Sequence, residues 1–273
     1  MTAPPHPGLR ACVVVPARDE EERITACLAA LAAQVDADPR TWEILLVLDA
    51  CTDSTAARAH ETASGRPDLR LGTLYGPGAG PGPARRVGMD AACRRLHAVG
   101  RPEGLIASTD ADTVVAPNWL AAQIDAAARG ARAIGGRIEL SAPELAELPP
   151  GVAHRHAAKA RRRHAQVLAR ERAEGGAAEH WQFSGASLAL TAATYAEVGG
   201  LGEHTDLEDE ALERTLRRHG VPIERSLAVR VTTSARVTGR AGRGLARDLA
   251  KAVELEDYEK AAKIRDQIKQ AEG

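Results

Sequence analysis

Residues 105–119 read LIASTDADTVVAPNW, and the triplet Asp110-Ala111-Asp112 within them is the point from which the chain is best approached. The apolar run Leu105-Ile106-Ala107 reads as the end of a buried strand. It stops at two carboxylates spaced i, i+2. In extended or turning backbone that spacing lets both converge on one hard cation. Carboxylates at the carboxyl end of a strand in an α/β sheet also lie where ligands bind. The pattern suits a divalent metal held for a substrate diphosphate, and it equally suits an acidic turn that ends a strand. Its surroundings decide.

Upstream, residues 11–15 are a continuous apolar, β-branched run, as expected of a strand buried on both faces of a parallel sheet. The run ends at Pro16-Ala17-Arg18-Asp19-Glu20-Glu21, after which Ile24, Leu28 and Leu31 recur at helical spacing. Residues 43–48 read as a second strand, followed by an Ala-rich helix to about Ser64 that Asp53 or Ser54 would cap. A third short strand over 69–75 precedes the Gly/Pro stretch 76–83 and a helix over 84–99. Strands alternating with helices predict an α/β, Rossmann-like, doubly wound and mostly parallel sheet flanked by helices. Asp19, Asp49 and Asp110 would then share one carboxyl edge. The Gly/Pro stretch is no P-loop, because it lacks the Lys-Ser/Thr and its prolines remove N–H groups that a phosphate nest needs. A dinucleotide fingerprint should follow the first strand, where this chain has PARDEE.

Downstream, residues 119–129 predict a helix, 133–140 a strand and 143–151 a loop. Residues 154–172 predict a basic helix with few large apolar residues, lying on the surface or over a cleft. His154, His156, His164 and His180 lie nearby, but the first two point to different sides of a helix and do not read as metal ligands. Residues 181–190 are the most strand-like of the second half, and the helix over 191–198 is stopped by Gly199-Gly200. An acidic loop over 203–210 feeds a helix over 211–219. Acids at a helix N-terminus are ordinary dipole chemistry, and one facing a metal-nucleotide can also serve as a general base. After a strand over 229–234, Arg236 and Arg240 stand four apart near a Gly-rich turn, which suits diphosphate recognition or a plain surface loop.

The bulk properties narrow the classes. A net charge of −1 and a pI near 6.8 provide no field for nucleic acid or an anionic membrane, so no nucleic-acid partner is expected. The four cysteines show no metal spacing, and Cys12 and Cys27 read as small core residues. No apolar run approaches the ~20 residues of a membrane span, and residues 1–10 lack a signal-peptide core. The expectation is a soluble, cytoplasmic protein with reduced thiols.

Six segments, taken in order and spacing, resemble the family 2 glycosyltransferases of GT-A fold. They are VVVPARDEEERI (13–24), VLDACTDSTA (47–56), ARRVGMDAA (84–92), STDADTVVAPNWL (108–120), FSGASLALTAATYAEVGG (183–200) and LEDEAL (207–212). The resemblance implies that Pro16, Arg18 and Glu20 form the first-loop motif that holds the nucleoside; an Asn often stands where Arg18 is. Asp49 matches the carboxylate that reads the uracil or guanine edge, with Leu48 where the family has a second Asp. Asp110 and Asp112 match the metal motif for Mn²⁺ or Mg²⁺, with Asp112 the direct ligand. Asp209 matches the acceptor-activating base, with Glu208 beside it. Arg236 and Arg240 would help hold the diphosphate. Gly185 and Ser187 would line the acceptor side, and Trp181 would stack on a sugar ring.

The implied reaction is metal-dependent, inverting transfer of one sugar from a nucleoside-diphosphate sugar to a hydroxyl of a soluble or lipid-linked acceptor. Family members often carry transmembrane helices or a processive QxxRW motif. Here residues 233–236, TSAR, stand in that place, which implies a non-processive enzyme. Two other readings stand beside it. A sugar-phosphate nucleotidylyltransferase would need a Gly-rich, Lys/Arg-containing first loop, and a non-catalytic nucleotide-binding protein would act through its tail.

That tail, residues 249–270, is similar to the UVR motif of nucleotide-excision repair proteins, most specifically over 257–266. Leu249 and Val253 with Tyr258, Ala261, Ile264 and Ile268 would zip a helical hairpin, although a plain amphipathic helix fits the same residues. A hairpin this small needs support, from the catalytic domain, a protein partner or self-association. The expected division is a disordered lead-in over 1–9, a GT-A domain over 10–245 (nucleotide-binding half 10–115, acceptor half 116–245) and a helical tail over 246–273.

Overall fold

Strand β1 (Ala11–Ala17) is buried along its whole length, and its side chains alternate between two cores. Ala11, Val13 and Val15 enter one core, and Cys12 and Val14 the other. Strand β2 (Trp42–Leu48) divides in the same way: Ile44, Leu46 and Leu48 face one layer, Leu45 and Val47 the opposite one. This is the pleat of a sheet covered on both faces, and it is why these runs are apolar without interruption. Each fully buried aliphatic side chain contributes about 1.5–3 kcal/mol. The computed structural model describes residues 3–173, 178–202, 208–236, 249–251, 253–255 and 257.

Strand β3 (Leu71–Tyr75) pairs parallel with β2, and β4 (Leu105–Ser108) parallel with β1. Helix α1 (Ile24–Ala32) buries Ile24, Cys27, Leu28 and Leu31 in the first layer, where α2 (Thr55–Ser64) adds Ala59. Helix α3 (Pro81–Ala98) covers the other face. It begins earlier than its apolar spacing predicts, because proline fits the first turn of a helix. Gly88 lets it lie flat on the sheet: a Cβ there would stand 2.3 Å from Val14 and 2.9 Å from Val47. That close seat holds Arg85, one turn earlier on the helix, over the sheet's carboxyl edge.

The second half of the chain extends the same sheet. Strand β5 (Thr113–Val115), helix α4 (Trp119–Ala128), strand β6 (Ala133–Leu140) and helices α5 (Ala142–Ala146) and α6 (Pro150–Ala173) come first. Strand β7 (Leu188–Thr191), helices α7 (Ala192–Glu197) and α8 (Glu208–Arg218) and strand β8 (Ile223–Thr233) follow. The order is β3-β2-β1-β4-β7-β6-β8-β5. Strands β4–β7, β6–β7 and β5–β8 pair antiparallel, and β6–β8 parallel.

This order demands a curl. Strands β4 and β5 lie four places apart in the sheet, yet only residues 109–112 join them. Four spacings of a flat sheet need about 19 Å, whereas five Cα steps reach at most about 18 Å. A turn closed by Thr113 N–H donating to the Asp110 carbonyl at 3.1 Å shortens the link further. The sheet therefore bends around the Asp110-Ala111-Asp112 turn, and the concavity becomes a cleft.

Several expectations need correction. Residues 181–187 are not strand: Ser187 N–H closes a turn on the Ser184 carbonyl at 2.8 Å, and only Leu188–Thr191 pairs as β7. The loop expected over 143–151 includes α5 and the start of α6. Strand β8 begins at Ile223, six residues before its apolar alternation shows, because Glu224, Arg225 and Ser226 mask it. The lead-in read as disordered is held from residue 3 onward: Leu9 is fully buried and Arg95 donates to the Ala3 carbonyl at 2.8 Å. Of the tail, residues 249–251 are helical and Leu249 is buried with Val152 and Ala235. Tyr258, Ala261, Ile264 and Ile268 of the expected hairpin, and Arg240, lie outside the described residues. No helix among the described residues is long and apolar enough to cross a membrane.

Candidate active site

The loops after β1, β2 and β4 meet at one edge, as expected for Asp19, Asp49 and Asp110. Asp19 is part of the scaffold. At φ 50° it accepts hydrogen bonds from the Thr52 N–H at 2.7 Å and the Thr52 hydroxyl at 3.1 Å, which tie the first loop to the second. The backbone N–H bonds hold its carboxyl below the usual range. Asp53 completes that tie by accepting from Glu21 N–H at 3.0 Å and from Thr55 N–H, the first of α2, at 2.9 Å, while Ser54 at the N-cap makes no side-chain cap bond. Asp49 is almost fully buried, and its two oxygens accept from Gly78 N–H at 2.6 Å and Gly80 N–H at 2.9 Å. The carboxylate expected to read a base edge thus also shapes the Gly/Pro loop, which carries Arg18 by its bond to the Gly78 carbonyl at 3.4 Å.

The buried Arg85 is the hub of the cleft. Its guanidinium donates to Asp110 Oδ1 at 2.9 Å, Glu208 Oε1 at 3.1 Å, Ser108 Oγ at 2.7 Å and the Gly185 carbonyl at 3.2 Å. Burial opposes its charge, but Asp110 and Glu208 outweigh burial and raise its pKa. One side chain thus joins the strand end, the acidic turn, the 181–187 loop and the start of α8. Gly185 accommodates it, since a Cβ there would stand 2.3 Å from Arg85 Nη2. The family-like segment over 84–92 carries Arg85, yet nothing in that segment alone assigns the residue a role. The available signal was its phase, in register with the buried Gly88, Met89, Ala92 and Leu96 of the same helix.

Arg236 plays the matching part on the other side. It grips Glu20 with two donors, at 3.0 and 2.6 Å, and pairs with Asp112 Oδ2 at 2.8 Å. Glu20 and Asp112 therefore meet at Arg236, and Asp110 lies near enough for its charge to act on Asp112. Burial, then the neighbouring Asp110 charge, push the Asp112 carboxyl up to about 6, with Arg236 pulling the other way. A carboxylate set that resists its own ionisation in a partly desolvated turn is chemically suited to a hard divalent cation. Asp110 and Asp112 each already hold an arginine, which a cation would displace or share.

A pH dependence follows. A carboxyl raised from 3.8 to about 6 favours folding below about pH 4, and that contribution is lost as pH rises through 6. At neutral pH the ionised Asp112 therefore opposes folding and welcomes a cation. Mg²⁺ or Mn²⁺ is expected to raise the thermal midpoint clearly at pH 7.5 and much less at pH 5, where protons compete. Equal shifts at the two pH values would remove Asp112 from the metal assignment.

The second half of the chain brings Glu208, Asp209 and Gly185 to the same cleft. Glu208 is buried against Arg85, so it serves the hub. Asp209, half-buried in the first turn of α8, accepts from Gly185 N–H at 3.3 Å and Glu210 N–H at 2.8 Å. Residues 203–207 of the expected acidic loop lie outside the described residues. Ser187 is a correction: it is fully buried, accepts from Trp119 Nε1 at 2.9 Å and does not line the cleft. Trp181 does line it, but Arg163 already lies over its ring, 5.3 Å from the centroid. Pro16 lines the floor, and α6 borders the opening with His156, Lys159 and Arg163. The cleft measures about 1190 Å³.

The family described as Glycosyl transferase family 2 matches residues 12–177, more than half of the chain, and the chain belongs to that family. The UvrB/uvrC motif matches residues 243–273. No curated protein matches the chain. Among solved structures it is similar to the mannosyltransferase PcManGT from Pyrobaculum calidifontis in complex with GDP-Man and Mn²⁺. That likeness has 20% identity and a TM-score of 0.57, over 89% of this chain and 61% of that one. It is similar also to S. aureus TarS in complex with UDP-GlcNAc, at 18% identity and TM-score 0.60, over 85% and 60% of the two chains. A third is glucosyl-3-phosphoglycerate synthase from Mycobacterium tuberculosis in complex with Mn²⁺, UDP and phosphoglyceric acid (17% identity, TM-score 0.52, 83% and 71%). At such identities the likeness establishes the fold, the GT-A arrangement. The chain spans about three fifths of the length of the first two structures.

Proposed function

We propose that the chain transfers one sugar from a nucleoside-diphosphate sugar to a hydroxyl of an acceptor, with inversion at the anomeric carbon. The observation that carries this reading is the Arg85 hub, which binds the donor-side Asp110 and the acceptor-side Glu208 in one buried network. Pro16, Arg18, Glu20 and Asp49 border the donor end, and Asp209 stands at the acceptor end. Asp110 and Asp112 would hold the divalent cation, which when bound neutralises charge on the leaving diphosphate. Arg236 sits on Asp112 and Glu20 and would bind the same phosphates by exchanging one carboxylate partner for them. Asp209 takes the proton from the acceptor hydroxyl at its carboxylate oxygen as the new glycosidic bond forms. Attack on the side away from the diphosphate inverts the sugar carbon. Residues 10–245 would be the transferase body, and the tail beyond 246 its appendage.

The test is a panel of nucleoside diphosphates with Mn²⁺ or Mg²⁺, read by thermal midpoint on wild type and Asp112→Ala. A ligand bound by the folded state alone raises the midpoint by mass action, and saturation at one hundred times Kd adds about 2.7 kcal/mol. One nucleotide is expected to give a metal-dependent shift that Asp112→Ala loses. No shift from any nucleotide would dismiss the donor site. A shift with no turnover of the matching nucleotide sugar would favour a non-catalytic binding protein.

A further inference from the structure

The acceptor side of the cleft carries a charge pattern that sugar transfer by itself does not require. Helix α6 turns a stripe at three- and four-residue spacing toward the opening, with Lys159, Arg163 and Arg170 on it. Facing it, α8 presents Arg214 and Arg217, and Lys251 lines the same space. Against these six cations the described lining residues of α6 and α8 beyond Asp209 offer three carboxylates, Glu208, Glu210 and Glu213. All three are engaged: Glu208 pairs with Arg85 at 3.1 Å, Glu210 with Arg163 at 3.2 Å, and Glu213 with Arg170 at 2.9 Å and with buried Arg225 at 2.8 Å.

Two helices whose cationic faces meet across a cavity repel one another, and the protein holds them there. Arg225, fully buried in β8, bonds Glu171 of α6 at 2.9 Å and Glu213 of α8. It pins the two helices to the sheet from behind. The stripe also starts beside the proposed base, since Glu210, the partner of Arg163, follows Asp209 directly. It therefore lies on the acceptor side, whereas the donor side is lined by the carboxylates of the sheet edge.

We infer that the acceptor is itself an anion, a small hydroxyl compound bearing a phosphate or carboxylate group that these cations hold while Asp209 takes the hydroxyl proton. Like charges lining a low-dielectric cleft concentrate a ligand of opposite sign and orient it. An anion there relieves the repulsion between α6 and α8. The inference rests on the transferase reading and adds the chemical class of its second substrate.

The test uses the full chain saturated with the nucleoside diphosphate and Mg²⁺ that give the largest midpoint shift. Glycerol 3-phosphate, phosphoglyceric acid and phosphatidylglycerol in neutral detergent, each an anion with a free hydroxyl, are then titrated against glycerol. At least one phosphate is expected to raise the midpoint further, while glycerol at the same concentration does not. The double variant Arg214→Gln/Lys251→Gln should need about tenfold more of that phosphate, the loss of one or two wet charge-assisted contacts. Raised salt should weaken the effect in wild type. A response to the water-soluble phosphates identifies a soluble acceptor, and a response confined to phosphatidylglycerol a lipid-linked one.

If the nucleotide gives its shift and none of the three phosphates adds to it, the anionic acceptor is wrong and the transferase reading stands. The anionic acceptor is equally wrong if glycerol matches the phosphates, or if the double variant responds like wild type. If no nucleotide shifts the midpoint, the transferase reading fails and this inference falls with it.

Discussion

Arg85→Ala is expected to be the most damaging single substitution in this chain, lowering stability by about 3–5 kcal/mol. For a domain of this size that is a fall in thermal midpoint of roughly 10 °C. The reason is what stays behind. Glu208 is almost fully buried and Asp110 two-thirds so, and with Arg85 gone both keep their charges and lose their partner. Ser108 Oγ and the Gly185 carbonyl lose their donor as well. Arg85→Lys would keep the charge, but a single ammonium cannot reach four acceptors in a planar fork, so most of the loss should remain. By contrast, Arg129→Ala breaks a pair that is 63% and 34% exposed and should change stability by less than about 1 kcal/mol. Chemical denaturation of the three variants checks this. An Arg85→Ala protein as stable as Arg129→Ala would show that the hub does not hold the two halves of the cleft together. The nucleotide-induced shift gives a second reading, expected to be lost in Arg85→Lys even where that variant folds.

The first half of this arrangement was legible in the sequence because its signals are local. An uninterrupted apolar run can only be a strand covered on both faces, and residues 11–15 and 43–48 are such runs. Once strands and helices alternate, the ends of β1, β2 and β4 must share an edge, so Asp19, Asp49 and Asp110 could be placed together. Their roles could not be separated, because Asp19 and Asp49 are partly occupied with backbone N–H groups of loops that no pattern describes. The second half depends on distant contacts. Ser187 stands in a segment that reads as strand, yet it is buried by Trp119, sixty-eight residues away. Arg85 pairs with Glu208 across 123 positions. A cation in phase with a buried helical stripe announces that a partner exists, since buried arginines are almost never unpaired, but not which one. The curl had a signal too, in the four residues between β4 and β5. It becomes readable only when the strand order is known.

Asp209→Asn is expected to reduce transfer by about 10²–10⁴-fold while leaving the nucleotide-induced midpoint shift intact. The amide is nearly isosteric and its oxygen can still accept one of the two N–H bonds that Gly185 and Glu210 make to the carboxylate. It cannot take a proton from an acceptor hydroxyl. Glu208→Gln makes the discriminating comparison. Glu208 is bound to Arg85, so neutralising it should lower the thermal midpoint and disturb the hub, with activity falling in step with folding. Asp209→Asn should separate the two readouts, because its carboxylate lines the cleft from the first turn of α8 and meets the Arg85 network only through the Gly185 backbone, not through an ion pair. Release of nucleoside diphosphate from the donor sugar measures the first, and thermal unfolding with the nucleotide the second. Transfer within tenfold of wild type in Asp209→Asn would remove it as the base. Loss of both readouts together would make it a folding residue. An unchanged nucleotide shift with transfer lost would identify the carboxylate as the group that moves the proton.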